Sequence, residues 1–227
     1  HLIVARPSQG APALIERATG KETPISRGAS GVMDLALTKD GKTLVAGMSD
    51  ESVKIWNLIT GEIVGVLEGP GSSSVSVTPD GRLVATGGSR GLVKIYDRTT
   101  SQVVKTWNEE EAENQAAIVR FSNDGQFLAI GAGESVTLRN TQSWEASWNS
   151  TVPMKSQAPG FFPGTFPDPP KGIQQMAFSP DDHLLAISTG GHAGVWDTRT
   201  GRKRYAIGGG GMQSLMEMAL SGRRTHS

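Results

Sequence analysis

The side chains able to do chemistry in this chain are few and scattered. Four histidines stand at positions 1, 183, 192 and 226, and there is no cysteine among 227 residues. A zinc site gathers Cys, His and carboxylate ligands at close spacing; His183 and His192 fall in turns at opposite ends of their repeat, so no metal site is expected. The lack of Cys removes disulfide staples and a thiolate nucleophile. Serine is plentiful, yet a serine hydrolase is not supported. The glycine clusters at 69–71 and 208–211 lack the Lys-Ser/Thr pair and the strand-to-helix context of a phosphate loop. No catalytic residue and no cofactor are expected.

Charge and composition narrow the field further. Lys plus Arg number 22 and Asp plus Glu 22, a formal net charge of +0. Such a chain offers no general field for a phosphate backbone, and no nucleic-acid partner is expected. The longest apolar runs fall far short of the roughly 20 residues that cross a bilayer, so no membrane insertion is expected. With 29 Gly and 12 Pro, turns are frequent and long helices are disfavoured. Nothing in the sequence reports the compartment.

These residues are carried by an internal repeat. TKDGKTLVAG (38–47), TPDGRLVATGG (78–88), SNDGQFLAIGAG (122–133) and SPDDHLLAISTGG (179–191) are one motif written four times. Each is followed by a second: SVKIWNLITGE (52–62), LVKIYDRTTSQ (92–102), SVTLRNTQSW (135–144) and HAGVWDTRTGR (192–202). Within one period the Asp-Gly and Thr-Gly turns separate four short strands. Strand a alternates (VMDLAL, 32–37), strand b is a continuous apolar run as in a strand covered on both faces, strand c is of the V-K-I-W type, and strand d follows the Thr-Gly turn. Asp40, Asp80 and Asp124 stand in Asp-Gly turns, where a carboxylate bonds its own backbone, and are structural. A four-stranded sheet of about 40 residues cannot bury both faces alone, so such units must stack around an axis.

The ends of the chain fit the same period. ALIERATGK (13–21) aligns with KIWNLITGE (54–62), so the chain starts at strand b, and SLMEMALS (214–221) aligns with strand a at GVMDLALT (31–38). The fold expected is all-β: a β-propeller of four-stranded antiparallel blades, five in number, closed by the C-terminal strand a pairing with the N-terminal strands b, c and d. It forms a single domain over 1–227. The alternative is a piece of a longer ring. These motifs resemble the WD40-repeat family, through S/T-x-D before strand b, the W-D position ending strand c (Trp56-Asn57, Tyr96-Asp97, Arg139-Asn140, Trp196-Asp197) and the Thr-Gly turn. The Gly-His that the family often carries before strand a is missing, and only Asp50 stands where its turn Asp belongs. The family's hydrogen-bonded tetrad is therefore expected to be absent, leaving strand b packing to supply most of the stability.

One segment breaks the period. NSTVPMKSQAPGFFPGTFPDPPKG (149–172) is Pro-rich and carries Phe161, Phe162 and Phe166. Exposed aromatics on a loop need a cover, either the rim of the ring or a partner. The acidic stretch 108–115, with Glu109, Glu110, Glu111 and Glu113, belongs to the preceding blade and is expected to neighbour it. The family resemblance implies a non-enzymatic platform for protein–protein interaction within a larger assembly. These seven residues are the candidate partner-binding set, for a protein with an apolar and basic surface. The alternative is a quinoprotein-like or lactonase-like propeller that binds a small ligand in its central channel. That reading needs acids on the innermost strand, where only Asp34 and Glu217 occur, with Arg120 as the base; the three are not expected to form a site.

Overall fold

The computed structural model describes residues 2–4, 13–15, 19–24, 31–69, 74–109, 115–152, 172–190 and 192–208. They form nineteen strands in five antiparallel sheets, joined by hairpins in chain order. The first sheet has three strands, β1 (Leu2–Val4), β2 (Ala13–Ile15) and β3 (Glu22–Pro24). The second has β4 (Val32–Leu37), β5 (Thr43–Met48), β6 (Ser52–Asn57) and β7 (Glu62–Glu68). The third has β8 (Ser74–Val77), β9 (Leu83–Gly87), β10 (Leu92–Asp97) and β11 (Gln102–Asn108). The fourth has β12 (Ile118–Phe121), β13 (Phe127–Ala132), β14 (Ser135–Asn140) and β15 (Ala146–Thr151). The fifth has β16 (Ile173–Phe178), β17 (Leu184–Thr189), β18 (His192–Asp197) and β19 (Lys203–Gly208). The four repeats fold as four blades in the strand order read from the sequence.

The turns explain why each blade forms where it does. In every a-to-b turn a hydroxyl and an Asp share the work: the Thr38, Thr78, Ser122 and Ser179 hydroxyls donate to Asp40, Asp80, Asp124 and Asp181 at 2.5–2.7 Å. Each carboxylate also accepts the N–H two residues on. The next position turns left-handed, and Gly41, Gly81 and Gly125 hold it with φ of 68° to 74°. At the other end of strand c, Asn57, Asp97, Asn140 and Asp197 accept N–H groups of the c-to-d turn. The ladder between strands c and d slips at one fixed place in every blade, directly before Trp56, Tyr96, Arg139 and Trp196. Such a bulge sharpens the twist of the outer strand.

The core lies in the seams between blades. Val45, Val53, Ile55 and Leu67 of the second sheet pack on Val75, Val77, Val84 and Tyr96 of the third. Ala85, Val93 and Ile95 pack on Val119, Phe121, Leu128 and Ile130 of the fourth. Leu138, Val136 and Val152 pack on Ile173, Met176, Leu185, Ile187 and Trp196 of the fifth. Strand b is buried on both faces, as its unbroken apolar run implied: Leu44, Val45 and Ala46 are all fully enclosed.

Two sequence readings change. The irregular segment begins later than 149, because Ser135 to Leu138 hold Trp148 to Thr151 in the ladder and Val152 is buried. His192 opens β18 instead of lying in a turn. The C-terminal strand 214–221, Glu217 and the closure they would make lie outside the described residues.

Candidate functional site

Two regions gather polar groups: the inner strands along the axis, and the face where the irregular segments leave the blades. The inner strands β4, β8, β12 and β16 contact each other in sequence, and each turns one backbone edge away from its own sheet. Unpaired N–H groups at low dielectric are costly, and here side chains of the preceding blade supply the acceptors. Asp34 Oδ2 accepts the Val75 N–H at 3.0 Å, Ser74 Oγ accepts the Val119 N–H at 3.2 Å, and Ser76 Oγ accepts the Phe121 N–H at 2.9 Å.

Arg120 completes this arrangement. Its Nη1 donates to Asp34 Oδ2 at 2.9 Å, Ser74 Oγ at 3.0 Å, the Val75 carbonyl at 3.1 Å and the Val119 carbonyl at 2.8 Å. Asp34 and Arg120 lie 86 residues apart on blades that flank β8, so their meeting was not legible in the repeat. The small Ser74 leaves room for the guanidinium to cross β8, and one ion pair ties three blades. Among the described residues no group of three or more His and carboxylate side chains could hold a metal.

Strand c aromatics reach back one blade. The Tyr96 hydroxyl donates to the Glu68 carbonyl, and the Trp196 indole donates to Ser150 Oγ at 3.2 Å. Burial raises the Tyr96 phenol above its ordinary value. Trp56 Nε1 has no partner among the described residues, and Asp50 caps its own turn through the Ser52 N–H and hydroxyl. In the fourth sheet the aromatic position is Arg139, which reaches back like the others. Its Nη2 lies 3.2 Å from Glu109 Oε1, and its guanidinium stacks 5.1 Å from the Trp107 ring, which in turn meets Trp144 at 5.5 Å.

Glu109 is therefore engaged within the propeller, with a side chain only 17% exposed. The repeat alignment held the signal for this pair: an Arg at a position otherwise aromatic calls for an acid one blade back. Glu110, Glu111, Glu113, Phe161, Phe162 and Phe166 lie outside the described residues.

The bases of both irregular segments are described. Glu109 donates its N–H to the Gly91 carbonyl at 3.0 Å, and the Gly91 N–H donates to the Gln115 carbonyl at 2.9 Å, so Glu109 and Gln115 are both held on one b-to-c turn. Val152 and Ile173 donate their N–H groups to the Glu134 and Gly133 carbonyls at 2.7 and 2.9 Å, which roots 153–171 on the b-to-c turn of the next blade. The two roots touch. Gly172 has a φ of 100°, a backbone that favours glycine, and a β-carbon there would displace the Gln115 side-chain amide packed against it.

The opposite face carries the turn carboxylates. The Thr38 hydroxyl and the Lys42 N–H hold Asp40 below its ordinary value, and Thr78 with the Arg82 N–H and Ser179 with the His183 N–H do the same for Asp80 and Asp181. Arg204, with the Thr200 hydroxyl, pushes Asp197 down to about 2. Lys203 stacks 5.2 Å from the Trp196 ring. Lys203 and Arg204 are thus folded onto their own blade.

Radial four-stranded blades, inner strands contacting in sequence and an apolar core in the seams together define a propeller-type all-β protein. Comparison with known proteins places its repeats. Residues 21–57 and 61–97 match the family described as WD40, "WD domain, G-beta repeat". Each of the two matched segments runs from the outer strand of one blade through the three inner strands of the next. Among solved structures, 1487 chains match the fold. One, from "Crystal Structure of Mitotic Checkpoint Complex", superposes with a TM-score of 0.69 at 15% identity over 88% of this chain. This chain spans 58% of that chain's length. No curated protein matches the sequence.

Proposed function

We propose that the chain is a non-enzymatic protein-interaction platform, and that its partner docks on the face from which 110–114 and 153–171 rise. The contact between Gln115 and Gly172 carries this reading, since it roots an acidic segment and a Pro/Phe segment side by side on rigid blades. Segments much longer than about 12–15 residues in a compact domain are commonly functional, and 153–171 departs from a repeat whose other turns are short. WD40 repeats and a fold shared with a chain of a multiprotein complex support the same assignment. Phe161, Phe162 and Phe166 would supply apolar anchors, and Glu110, Glu111 and Glu113 would steer a basic surface toward them.

The test is quantitative affinity capture from the source cells with wild type and the Phe161→Ser, Phe162→Ser, Phe166→Ser triple variant. The expected result is a loss of about 2 kcal/mol in partner affinity, some thirtyfold, at an unchanged melting temperature. Retention of every partner, or a large fall in stability, would make the segment a structural plug.

A further inference from the structure

Each of the five described outer strands is paired on one side only, so its other edge is open to a further strand. Proteins blunt such edges with Lys, Pro or charged and polar side chains, and four of the five follow that rule. β3 carries Pro24, β11 carries Lys105, β15 reads ASWNST, and β19 carries Lys203 and Arg204. The exception is β7, EIVGVLE, with neither a cation nor a proline. Its Val64 and Val66 are 54% and 58% exposed, and Ile63 beside them is exposed too.

The fold does not demand these residues. The bulge between strands c and d leaves one extra residue on each outer strand, and it is Val64, Val104, Ser147 and Arg204 in turn, so serine or arginine serves the bend as well as valine. Two residues further on stand Val66, Thr106, Asn149 and Ala206. Backbone groups of β7 are open as well. Gly69 donates its N–H to the Glu51 carbonyl at 2.8 Å, which sets the alternation of the ladder, so Val66 turns both its N–H and its carbonyl away from β6. Glu62 and Glu68 bracket the run, and neither makes an ion pair among the described residues.

We propose that β7 receives an extended segment of a partner protein that carries apolar side chains between two cations. Its backbone meets Val66, its apolar side chains cover Val64 and Val66, and its cations answer Glu62 and Glu68. A second copy of this chain fits poorly. Antiparallel pairing of β7 with itself about Gly65 sets Glu62 opposite Glu68, where like charges repel, and the cations of β19 are held by Asp197 and Trp196 of their own blade. This edge uses neither 110–114 nor 153–171 and is independent of the function proposed above.

The probe is a fluorescein-labelled peptide, Lys-Val-Thr-Val-Thr-Val-Lys, read by anisotropy against the full chain, with the same peptide ended by Glu as control. The Lys-ended peptide should bind about tenfold or more tighter, and the Glu62→Lys, Glu68→Lys double variant should reverse that preference. Val64→Arg copies Arg204 of the fifth sheet and Val66→Thr copies Thr106 of the third, so each should keep the melting temperature while weakening the Lys-ended peptide about fivefold or more. The Phe161→Ser, Phe162→Ser, Phe166→Ser variant should bind the peptide as wild type does. Equal affinity of the two peptides, no binding at millimolar concentration, or a preference unmoved by the charge reversal would overturn the proposal. So would a concentration-dependent dimer in sedimentation velocity that Val64→Arg dissolves, since it would assign the strip to a second copy.

Discussion

Asp182 offers a sharp test of how the blades are held, because the repeat and the structure predict opposite signs for one substitution. The other three a-to-b turns place Gly at this position, while Asp182 takes the same left-handed backbone with φ of 58°. By local propensity, Asp182→Gly should stabilise, since a left-handed L-residue costs roughly 1–2 kcal/mol, less for Asp. The structure gives the carboxylate a second task. It accepts the Asn123 N–H at 2.8 Å, the Asn123 Nδ2 at 2.7 Å and the Asp124 N–H at 2.9 Å, all on the preceding blade.

At a half-buried site each such bond is worth roughly 0.5–1 kcal/mol, below the range of about 1.5–3 for fully desolvated charged bonds. Three of them contribute about 1.5–3 kcal/mol. The relief of backbone strain is offset in part by the unfolded-state entropy of glycine, about 0.4–1 kcal/mol. The expected net result is a loss of about 1–2 kcal/mol, a fall of about 3–6 °C in melting temperature for a domain of this size. Urea unfolding of wild type, Asp182→Gly, Asn123→Ala and the double variant should show coupling of at least about 0.5 kcal/mol between the two sites. An Asp182→Gly protein as stable as wild type, or more so, would refute the inter-blade role.

Arg139→Ala should cost about 2–3 kcal/mol, because it leaves the mostly buried Glu109 without its cation and strips the stacked face of Trp107; chemical denaturation followed by tryptophan fluorescence checks this. Acid should unfold the protein through its turns: Asp40, Asp80, Asp181 and Asp197 all have depressed folded-state values. Their contribution is therefore full above the unfolded value near 3.8 and is lost as pH falls toward the folded ones, about 2 for Asp197. Stability measured from pH 6 to pH 2 should decline mainly below about pH 4, and a flat profile there would remove the turn carboxylates from the account.

The strand pattern was legible in the chain because it is written in local terms. Period-2 alternation, continuous apolar runs and Asp-Gly turns each act within about ten residues, and the four-strand blade follows from them. The structural role of Asp40, Asp80 and Asp124 could be assigned for the same reason, since each carboxylate bonds within its own turn. The neighbouring roots of the two irregular segments followed from blade order. What needed the tertiary structure crosses seams: Arg120 reaching Asp34 past Ser74, Arg139 taking Glu109, and Asp182 exchanging a glycine's ease for three donors on another blade. No periodicity encodes these contacts, because their partners sit at the same height on different blades and meet only when the sheets twist and stack. The bulge before every strand c aromatic is equally silent in sequence, as it depends on how the outer strand must bend to cover its neighbour. Local chemistry determined the blade, and the fit of blade against blade decided which side chains pair across the seams.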